Sequence, residues 1–460
     1  MLPTAGQAPE FEYTIGSGAV TITRYTGPGG EVILPQTVAG LPVARIGDRA
    51  FSGLSNLTTI AIPDSVTYIH STPWSSAFEG CTGLTRFEVA MLNPAFSSLD
   101  GVLFNKNQTT LIAFPGGKTG HYVIPEIVTD IGYGAFAGCT GLSSVTIGKG
   151  VTHIWYRAFW GCAALTNIDI PAGVTFIAGG GGEQDGGPWG AFADCTSLTN
   201  VAIPDTVDSI GAFAFWNCTS LTSIAIPDAV TTIKGSTFAG CTSLTSIVIP
   251  ASVTTIDHSA FSGCMALKDI TIPEGVTSIL YRAFSDCTSL TSIVIPDTVT
   301  TIEYGAFSDC SGLTSVTIGK SVTSIEPYAF SHCSSLTAVY YAGNAFGGLN
   351  SFMGSPVTIY HLPGTSGWDT GFYDHPTALW LPRVEPAGIQ LGGGRNEFAL
   401  SIHWARGKTV GVESATNPTN PVWMPLATIP LTDSSATLSD PDSSSDPMRF
   451  YRAVEVTPSP

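Results

Sequence analysis

The chain has 460 residues, of which 43% are hydrophobic and only 12% are charged, and its formal net charge is −17. Nucleic acids and anionic membranes need basic patches on their protein partners, so this acidic balance argues against both. No apolar run approaches the roughly 20 residues of a membrane span. The N-terminal stretch MLPTAGQAPEF also lacks the basic and apolar regions of a signal peptide, so none is visible in the sequence as written.

The N-terminal segment reads as short strands separated by glycine-rich turns. Residues 11–40 alternate apolar and polar side chains, and GSG and GPGG interrupt the alternation. A stack of repeats needs a cover over its first coil. We therefore predict that residues 1–40 form a β cap.

Residues 41–340 are built from one repeated unit that begins with a cysteine. Every gap from Cys195 to Cys333 is 23 residues, and each cysteine follows a phenylalanine by three positions. An earlier copy, at 50–54, has Leu54 in the cysteine position. The repeat predicts a solenoid of about a dozen coils, in which each coil needs its neighbours to bury its apolar side chains. The ten cysteines are Cys81, Cys139, Cys162, Cys195, Cys218, Cys241, Cys264, Cys287, Cys310 and Cys333.

The unit from Cys287 to Asp309 shows the pattern within one coil. Leu290, Ile293 and Ile295 alternate as in a strand, and the proline that follows stops it because proline cannot donate to a ladder. A second short extended segment and an Ala-Phe turn complete the unit. The turn is predicted as a tight turn or a single helical turn.

This unit resembles the BspA-like type of bacterial leucine-rich repeat. The stretch 93–125 resembles a variant of that family in which a hairpin, turning at NKNQ, replaces a coil, and residues 178–188 read as a glycine-rich insertion. The resemblance implies a right-handed, β-rich leucine-rich-repeat solenoid with short strands. It also implies a surface-exposed or secreted protein that acts in adhesion or protein binding and brings no catalytic residues.

The C-terminal part loses the repeat. Residues 341–382 are predicted to be a closing cap or linker, because the cysteine and the phase disappear there. Residues 383–460 show short alternating runs, as a small β-sandwich would. VESATNP, VWMPL and RFYRA resemble a C-terminal β module of secreted bacterial proteins.

Four interpretations of the cysteine column compete. Stacked thiols point the same way and have two equal neighbours, which disfavours a disulfide ladder. No CxxC occurs and the histidines form no column beside the thiols, which disfavours zinc. Nucleophilic use needs an electropositive setting that an acidic chain does not offer. We expect ten free structural core cysteines and no metal.

Aromatic residues give the candidate binding surface. Tyrosines recur three positions before the turn phenylalanine, and tryptophans surround the insertion. They would form an exposed strip for protein or glycan contact, or pack between coils, and the sequence leaves both open. The candidates are Tyr133, Trp155, Tyr156, Trp160, Trp189, Trp216, Tyr281 and Tyr304.

Acidic and hydroxyl residues also recur in columns. Calcium could bind the carboxylates after the strand-ending prolines, such as Asp228 and Glu274, or loop 439–447, but solvated turns are favoured. Threonines such as Thr254 and Thr277 form a column to which we assign β-propensity and solubility.

We predict a non-catalytic extracellular or cell-surface protein, monomeric and without cofactor, that binds a protein or glycan partner. Alternatives are a structural spacer that carries the C-terminal module, and a carbohydrate-active enzyme within 383–457. Such an enzyme would need a cleft with paired carboxylates.

Overall fold

The computed structural model describes residues 4–8, 10–180, 188–368, 372–373, 375–392, 395–416, 421–440 and 449–456. These residues form strands and turns, and none of them lies in a helix. The chain divides into two compact units. The solenoid unit comprises Met1–Val316, Ser321–Thr337 and Gly347–Pro356, and the C-terminal unit comprises Thr317–Lys320, Ala338–Phe346 and Val357–Pro460.

The strands up to the end of the divergent stretch are β1 (Thr4–Ala8), β2 (Phe11–Gly16), β3 (Ala19–Tyr25), β4 (Gly30–Ile33), β5 (Thr37–Val38), β6 (Leu41–Ile46), β7 (Leu57–Ile62), β8 (Tyr68–Ile69), β9 (Arg86–Val89), β10 (Phe96–Leu99), β11 (Val102–Asn105), β12 (Thr110–Ala113) and β13 (Gly120–Val123). The regular repeats contribute β14 (Asp130–Ile131), β15 (Leu142–Thr146), β16 (His153–Ile154), β17 (Asn167–Asp169), β18 (Phe176–Ile177), β19 (Asn200–Ala202), β20 (Ser209–Ile210), β21 (Ser223–Ala225), β22 (Thr232–Ile233), β23 (Ser246–Val248), β24 (Thr255–Ile256), β25 (Ser278–Ile279), β26 (Ser292–Ile295), β27 (Thr301–Ile302), β28 (Ser315–Ile318) and β29 (Ser324–Ile325). The C-terminal strands are β30 (Ala338–Tyr341), β31 (Thr358–His361), β32 (Thr377–Leu379), β33 (Arg383–Gly392), β34 (Arg395–His403), β35 (Thr409–Ala415), β36 (Met424–Pro430), β37 (Ser435–Asp440) and β38 (Phe450–Glu455).

Each coil of the solenoid contributes one rung to two parallel ladders. The Leu-x-x-Ile-x-Ile segment forms the first ladder, in which β13, β15, β17 and β19 pair in order. The Val-x-x-Ile segment forms the second, in which β14, β16, β18 and β20 pair in order, with Ile131 opposite Ile154. The apolar residues of the coil are therefore stacked on their equivalents one unit away. The strands β22, β24, β25, β27 and β29 continue the second ladder in the later coils.

The third side of each coil is a turn, and its phenylalanine forms the centre of the core. Ten phenylalanine rings from Phe136 to Phe352 stack in sequence, with neighbouring centroids 4.8–5.8 Å apart and interplanar angles of 3–12°. In the regular coils the N–H of the turn phenylalanine donates to the next coil, as Phe136 does to the carbonyl oxygen of Ala158 at 2.7 Å. Each regular coil is thus hydrogen-bonded to the next on all three sides.

The two predicted irregular regions of the solenoid are β structure. At the N-terminus, β1, β2 and β3 form an antiparallel meander, and β3 pairs with β6 of the first coil in parallel. In the divergent stretch, β10, β11 and β12 form a second antiparallel meander, and β12 joins the second ladder through β14. The predicted NKNQ turn begins with the last residue of β11 and leads towards β12. Residues 181–187 of the glycine-rich insertion lie outside the described residues.

The C-terminal unit holds two three-stranded antiparallel sheets. One has the order β33-β34-β37 and the other β36-β35-β38. Leu400 and Ile402 of β34 share a hydrophobic cluster with Val410 and Val412 of β35, and the buried Trp404 lies in the same cluster. β30, β31 and β32 pair in parallel within the same unit. The predicted linker 341–382 therefore contributes two of its strands, β31 and β32, to this unit.

Candidate functional site

The cysteine column lies in the interior and carries hydrogen bonds. All ten cysteines are buried and free. Each thiol donates to the carbonyl oxygen of a phenylalanine in the preceding coil. The sulfur–oxygen distance is 3.1–3.3 Å from Cys162 to Cys333, 2.9 Å at Cys81 and 3.9 Å at Cys139. The cysteines are therefore interior donors as well as small apolar side chains.

In a later coil, a different hydrogen-bond donor occupies the cysteine position. Ser355 stands one coil after Cys333, and its hydroxyl donates to the carbonyl oxygen of Phe330 at 2.7 Å. Burial raises the pKa of the Cys139 and Cys241 thiols to about 12 each. Because the thiolate is the nucleophile, such thiols are unsuited to catalysis at neutral pH.

The predicted tyrosines occupy one position at the start of each turn, three residues before the phenylalanine. The same position holds Trp189 and His258. In most coils the next residue has a left-handed backbone, as at Arg157 (φ 57°) and Arg282 (φ 52°), but Gly190 after Trp189 does not. That sharp bend precedes the buried Ala-Phe pair and leaves the ring before it near the surface.

Aromatic rings of three successive coils form one surface cluster, which we call the aromatic patch: Tyr133, His153, Trp155, Tyr156 and Phe176. All five side chains are half-buried. The Trp155 ring stacks on His153 (centroids 5.3 Å apart, interplanar angle 7°) and meets Tyr133 edge-on at 5.6 Å. The rings pack on one another and also present surface to solvent, so packing and exposure occur together here.

Trp160 and Trp189 have a different role, because they enclose an arginine. Arg157 is 3% exposed, and its guanidinium carbon lies 4.5 Å from the Trp160 ring centroid and 4.9 Å from that of Trp189. Arg157 also forms an ion pair with Glu79 and donates to the carbonyl oxygen of Trp74 at 3.0 Å. These contacts join residues about 80 positions apart in the chain, so the repeat pattern gave no indication of them.

The remaining predicted rings lie apart from the patch. Tyr281 and Tyr304 stack at 5.6 Å and are 39% and 37% exposed. Trp216 is half-buried, and its carbonyl oxygen accepts the N–H of Asp194 at 2.8 Å. The structure therefore brings Tyr133, Trp155 and Tyr156 together in one surface and leaves the others elsewhere.

The threonine column joins coils through its hydroxyls. Thr254 and Thr277 each donate to the carbonyl oxygen of the threonine one coil earlier, at 3.3 Å. Within the described part of the chain, no group of three or more His, Cys, Asp or Glu side chains could hold a metal ion. Of the proposed calcium loop 439–447, residues 441–447 lie outside the described residues.

The C-terminal unit has an open groove of about 260 Å³ beside Tyr340, Trp380 and Trp404. Its described lining contains one carboxylate, that of Glu385, together with Arg383 and His403. A glycoside hydrolase of the common type needs two carboxyl groups flanking the bond. Among the described residues, the lining of this groove shows one of the two carboxyl groups that the carbohydrate-active enzyme alternative requires.

Comparisons with known proteins agree with this architecture. The family model described as "BspA type Leucine rich repeat region (6 copies)" matches residues 32–123, 112–180, 189–289 and 255–363, which together make up more than half of the chain. Among curated proteins, none is similar enough to count as a match. The described residues contain no helix that is long and apolar enough to cross a membrane.

Solved structures of bacterial leucine-rich repeat proteins are similar to the chain. A leucine rich cell surface protein from Faecalibacterium prausnitzii is 28% identical, with a TM-score of 0.47 over 74% of this chain and 95% of that one. A leucine-rich repeat protein from Bacteroides ovatus is 24% identical, with a TM-score of 0.47 over 81% and 99%. From its repeats and the family model that covers them, the chain belongs to the BspA-type leucine-rich repeat family.

Proposed function

We propose that the chain is a non-catalytic binding protein that acts outside the cell or at its surface. Its solenoid contacts a protein or glycan partner through the aromatic patch. The observation that carries this proposal is the clustering of Tyr133, Trp155 and Tyr156 on adjacent coils with part of each ring exposed. Aromatic side chains contribute most strongly to binding energies, and rings already held by neighbours lose little conformational freedom on contact.

Membership of the BspA-type leucine-rich repeat family supports a location outside the cell or at its surface. The chain carries few charges and covers its surface with serine and threonine, whose hydroxyls also hold the coils together. Leucine-rich repeat solenoids present extended surfaces that suit macromolecular partners.

The test compares the full chain with a Trp155→Ala/Tyr156→Ala double variant on arrays of glycans and of immobilised extracellular proteins. We expect the double variant to lose binding at least about tenfold, since truncation of one central aromatic residue commonly costs 2 kcal/mol or more. Tyr281→Ala is the matched control, because it removes an exposed ring from the same turn position in a distant coil. Trp160 and Trp189 are unsuitable for truncation, because they pack on the buried Arg157.

Two results would contradict the proposal. Unchanged affinity in the double variant would mean that the partner binds elsewhere. Failure of the wild-type chain to bind on either array would favour the structural spacer.

A further inference from the structure

On the turn side of the solenoid, one of the backbone hydrogen bonds that join neighbouring coils is missing. We call such a bond a rung. In the regular coils, the N–H two residues after the turn phenylalanine donates to the next coil. Its acceptor is the carbonyl oxygen of the residue directly after that coil's phenylalanine. This bond measures 2.8 Å from Gly53 to Glu79, and 2.8–2.9 Å in every described pair from Gly138–Trp160 to His332–Met353. Between Gly80 and Ala137 it is absent among the described residues: neither the N–H of Gly80 nor the carbonyl oxygen of Ala137 has a hydrogen-bond partner there.

The divergent coil explains the gap. In place of a full turn, the chain passes deep between its neighbours at Phe114, whose N–H donates to Ala135 at 2.7 Å. The chain then continues through Gly116, where an added Cβ would lie 2.8 Å from the carbonyl oxygen of Cys81. This coil therefore fills the inside of the stack and leaves its outer layer vacant.

An open groove of about 390 Å³ occupies that vacancy, and we call it the notch. Glu79 and Gly80 form one wall, Ala137 and Gly138 form the other, and Trp160 borders it. A Cβ added to Gly138 would meet no atom within 4 Å, whereas one added to Gly161 would meet the preceding coil's Gly138 at 3.9 Å. The absence of a neighbouring coil beside Gly138 is therefore evident from the free space around it as well as from the missing hydrogen bond.

In the two inner rungs of the same gap, three of the four groups have partners in side chains or in the divergent coil. The Ser71 hydroxyl donates to the carbonyl oxygen of Tyr133 at 3.1 Å, and the Ser76 hydroxyl accepts the N–H of Phe78 at 3.4 Å. Among the described residues, the outer rung keeps both of its groups unpaired, with the N–H of Gly80 as the donor on one wall and the carbonyl oxygen of Ala137 as the acceptor on the other. The walls belong to coils two positions apart, and twice a strand spacing of about 4.8 Å leaves room for one polypeptide chain.

We propose that the notch binds a short segment of a partner protein, whose main chain completes the missing rung. A carbonyl oxygen of the segment accepts the N–H of Gly80, and one of its N–H groups donates to the carbonyl oxygen of Ala137. This is recognition by main-chain addition, in which backbone hydrogen bonds give affinity and side-chain space gives selectivity. A polypeptide presents both groups at the spacing that neighbouring coils use, and this favours it over a saccharide.

The space below the notch restricts the segment. A cavity of about 20 Å³ lies between the same walls, with Phe114 and Gly116 in its lining. That volume holds about one water-sized group. The inserted residue is therefore a small one, such as glycine, alanine or serine. The site is separate from the aromatic patch, so the inference does not rest on the function proposed above.

The first test needs no ligand. The amide of Gly80 should exchange its hydrogen faster than those of Gly53 and Gly161, which occupy the same turn position and are hydrogen-bonded. Equal protection of Gly80 in the free chain would show that the rung is already closed, and would overturn the proposal.

The second test uses a displayed library of short linear peptides, selected on the full chain. Ala137→Trp fills the notch, and the fold accepts tryptophan at this turn position because Trp160 and Trp216 occupy it in their own coils. Ser262→Trp places the same side chain at the same position of a distant coil, where the rung is present, and is the matched control.

We expect selected peptides that bind the wild type and the Ser262→Trp variant equally and lose about tenfold or more on Ala137→Trp. N-methylation of one backbone nitrogen of the peptide should cause a similar loss, because one hydrogen bond contributes up to about 1.5 kcal/mol. Binding should also slow exchange at Gly80. The proposal fails if no peptide distinguishes Ala137→Trp from the control, or if N-methylation is harmless at every position. It also fails if a glycan, and no peptide, is excluded by Ala137→Trp.

Discussion

Each cysteine is buried, and its thiol lies within hydrogen-bonding distance of a backbone carbonyl oxygen. The carbonyl oxygen of Phe215 accepts the N–H of Cys218 within its own turn at 3.2 Å and also accepts the thiol of Cys241 at 3.2 Å. A thiol fits because it is small and apolar and still donates weakly. At the equivalent position, Ser355 donates with its hydroxyl, whereas Leu54 has no side-chain donor.

A substitution series at Cys241 separates packing from hydrogen bonding. Cys241→Ala removes both the volume and the donor, and we expect the free energy of unfolding to fall by about 1–2 kcal/mol. Cys241→Ser keeps a donor for the Phe215 carbonyl oxygen and should be the less destabilising of the two. Urea unfolding followed by circular dichroism measures the difference. Equal losses in the two variants would show that the thiol contributes by volume alone.

The buried thiols also predict a pH dependence. Burial raises the pKa of Cys241 from 9.0 to about 12, so between these values the unfolded chain loses a proton that the folded chain keeps. The unfolded state then binds fewer protons, and the free energy of unfolding falls as pH rises through this window. We expect the urea midpoint to be insensitive to the thiols below about pH 9 and to decrease above it.

Removing one thiol supplies the control for the other groups that titrate in this range. The decrease above about pH 9 should be shallower in Cys241→Ser than in the wild type. A thiol-specific reagent near neutral pH should label few of the ten cysteines in the folded chain and all of them in urea. Identical pH slopes, or rapid labelling of the folded chain, would contradict the buried arrangement.

At the scale of the turn, two left-handed residues per coil set the path of the chain. One follows the aromatic position, as Ser259 does (φ 55°), and the other precedes the cysteine, where Gly263 has φ 72°. Glycine adopts this conformation freely, whereas a β-branched residue does so at a cost of roughly 1–3 kcal/mol. Serine and arginine at such a position are therefore under mild strain.

Substitutions of Ser259 test this strain. Ser259→Val should lower the free energy of unfolding by about 1–3 kcal/mol because of its backbone conformation. Ser259→Gly should be close to neutral, since the relief of strain is offset by the greater freedom of glycine in the unfolded chain. Ser262→Val in the same turn is the control, as it does not have a positive φ. Thermal unfolding measures all three, and a Ser259→Val variant as stable as the control would contradict the assignment.

The repeat predicted those structural features that depend only on one coil and its immediate neighbours. The inward phase of Leu290, Ile293 and Ile295, their ladder and the buried cysteines follow from local spacing, because each coil repeats the environment of the last. The notch and the enclosed Arg157 do not follow, because they arise where the divergent coil withdraws and distant residues meet. Arg157 contacts Glu79 across 78 positions, and no periodic signal encodes such a pair.

On the scale of the whole molecule, the solenoid unit is a one-dimensional assembly. Hydrogen bonds and ring stacking run between neighbouring coils, as between Phe238 and Phe261 (5.5 Å) and between Phe261 and Phe284 (5.2 Å). Stability in such an array is approximately a sum of coil and interface contributions. The loss of one complete coil should therefore lower the free energy of unfolding by the contribution of that coil, without changing the fold.

Deletion of residues 241–263, one 23-residue unit, tests this additivity. The deletion joins Gly240 to Cys264, which restores the glycine–cysteine step of a normal turn and keeps every inward side chain in phase. We expect a folded protein with an unchanged circular dichroism spectrum per residue and with about a tenth less free energy of unfolding. Deletion of 241–252 alone is the control, since it places polar residues in the interior and should abolish cooperative unfolding. If the in-phase deletion unfolds the chain as completely as the control does, the coils are not energetically equivalent, and stability depends on a particular region of the solenoid.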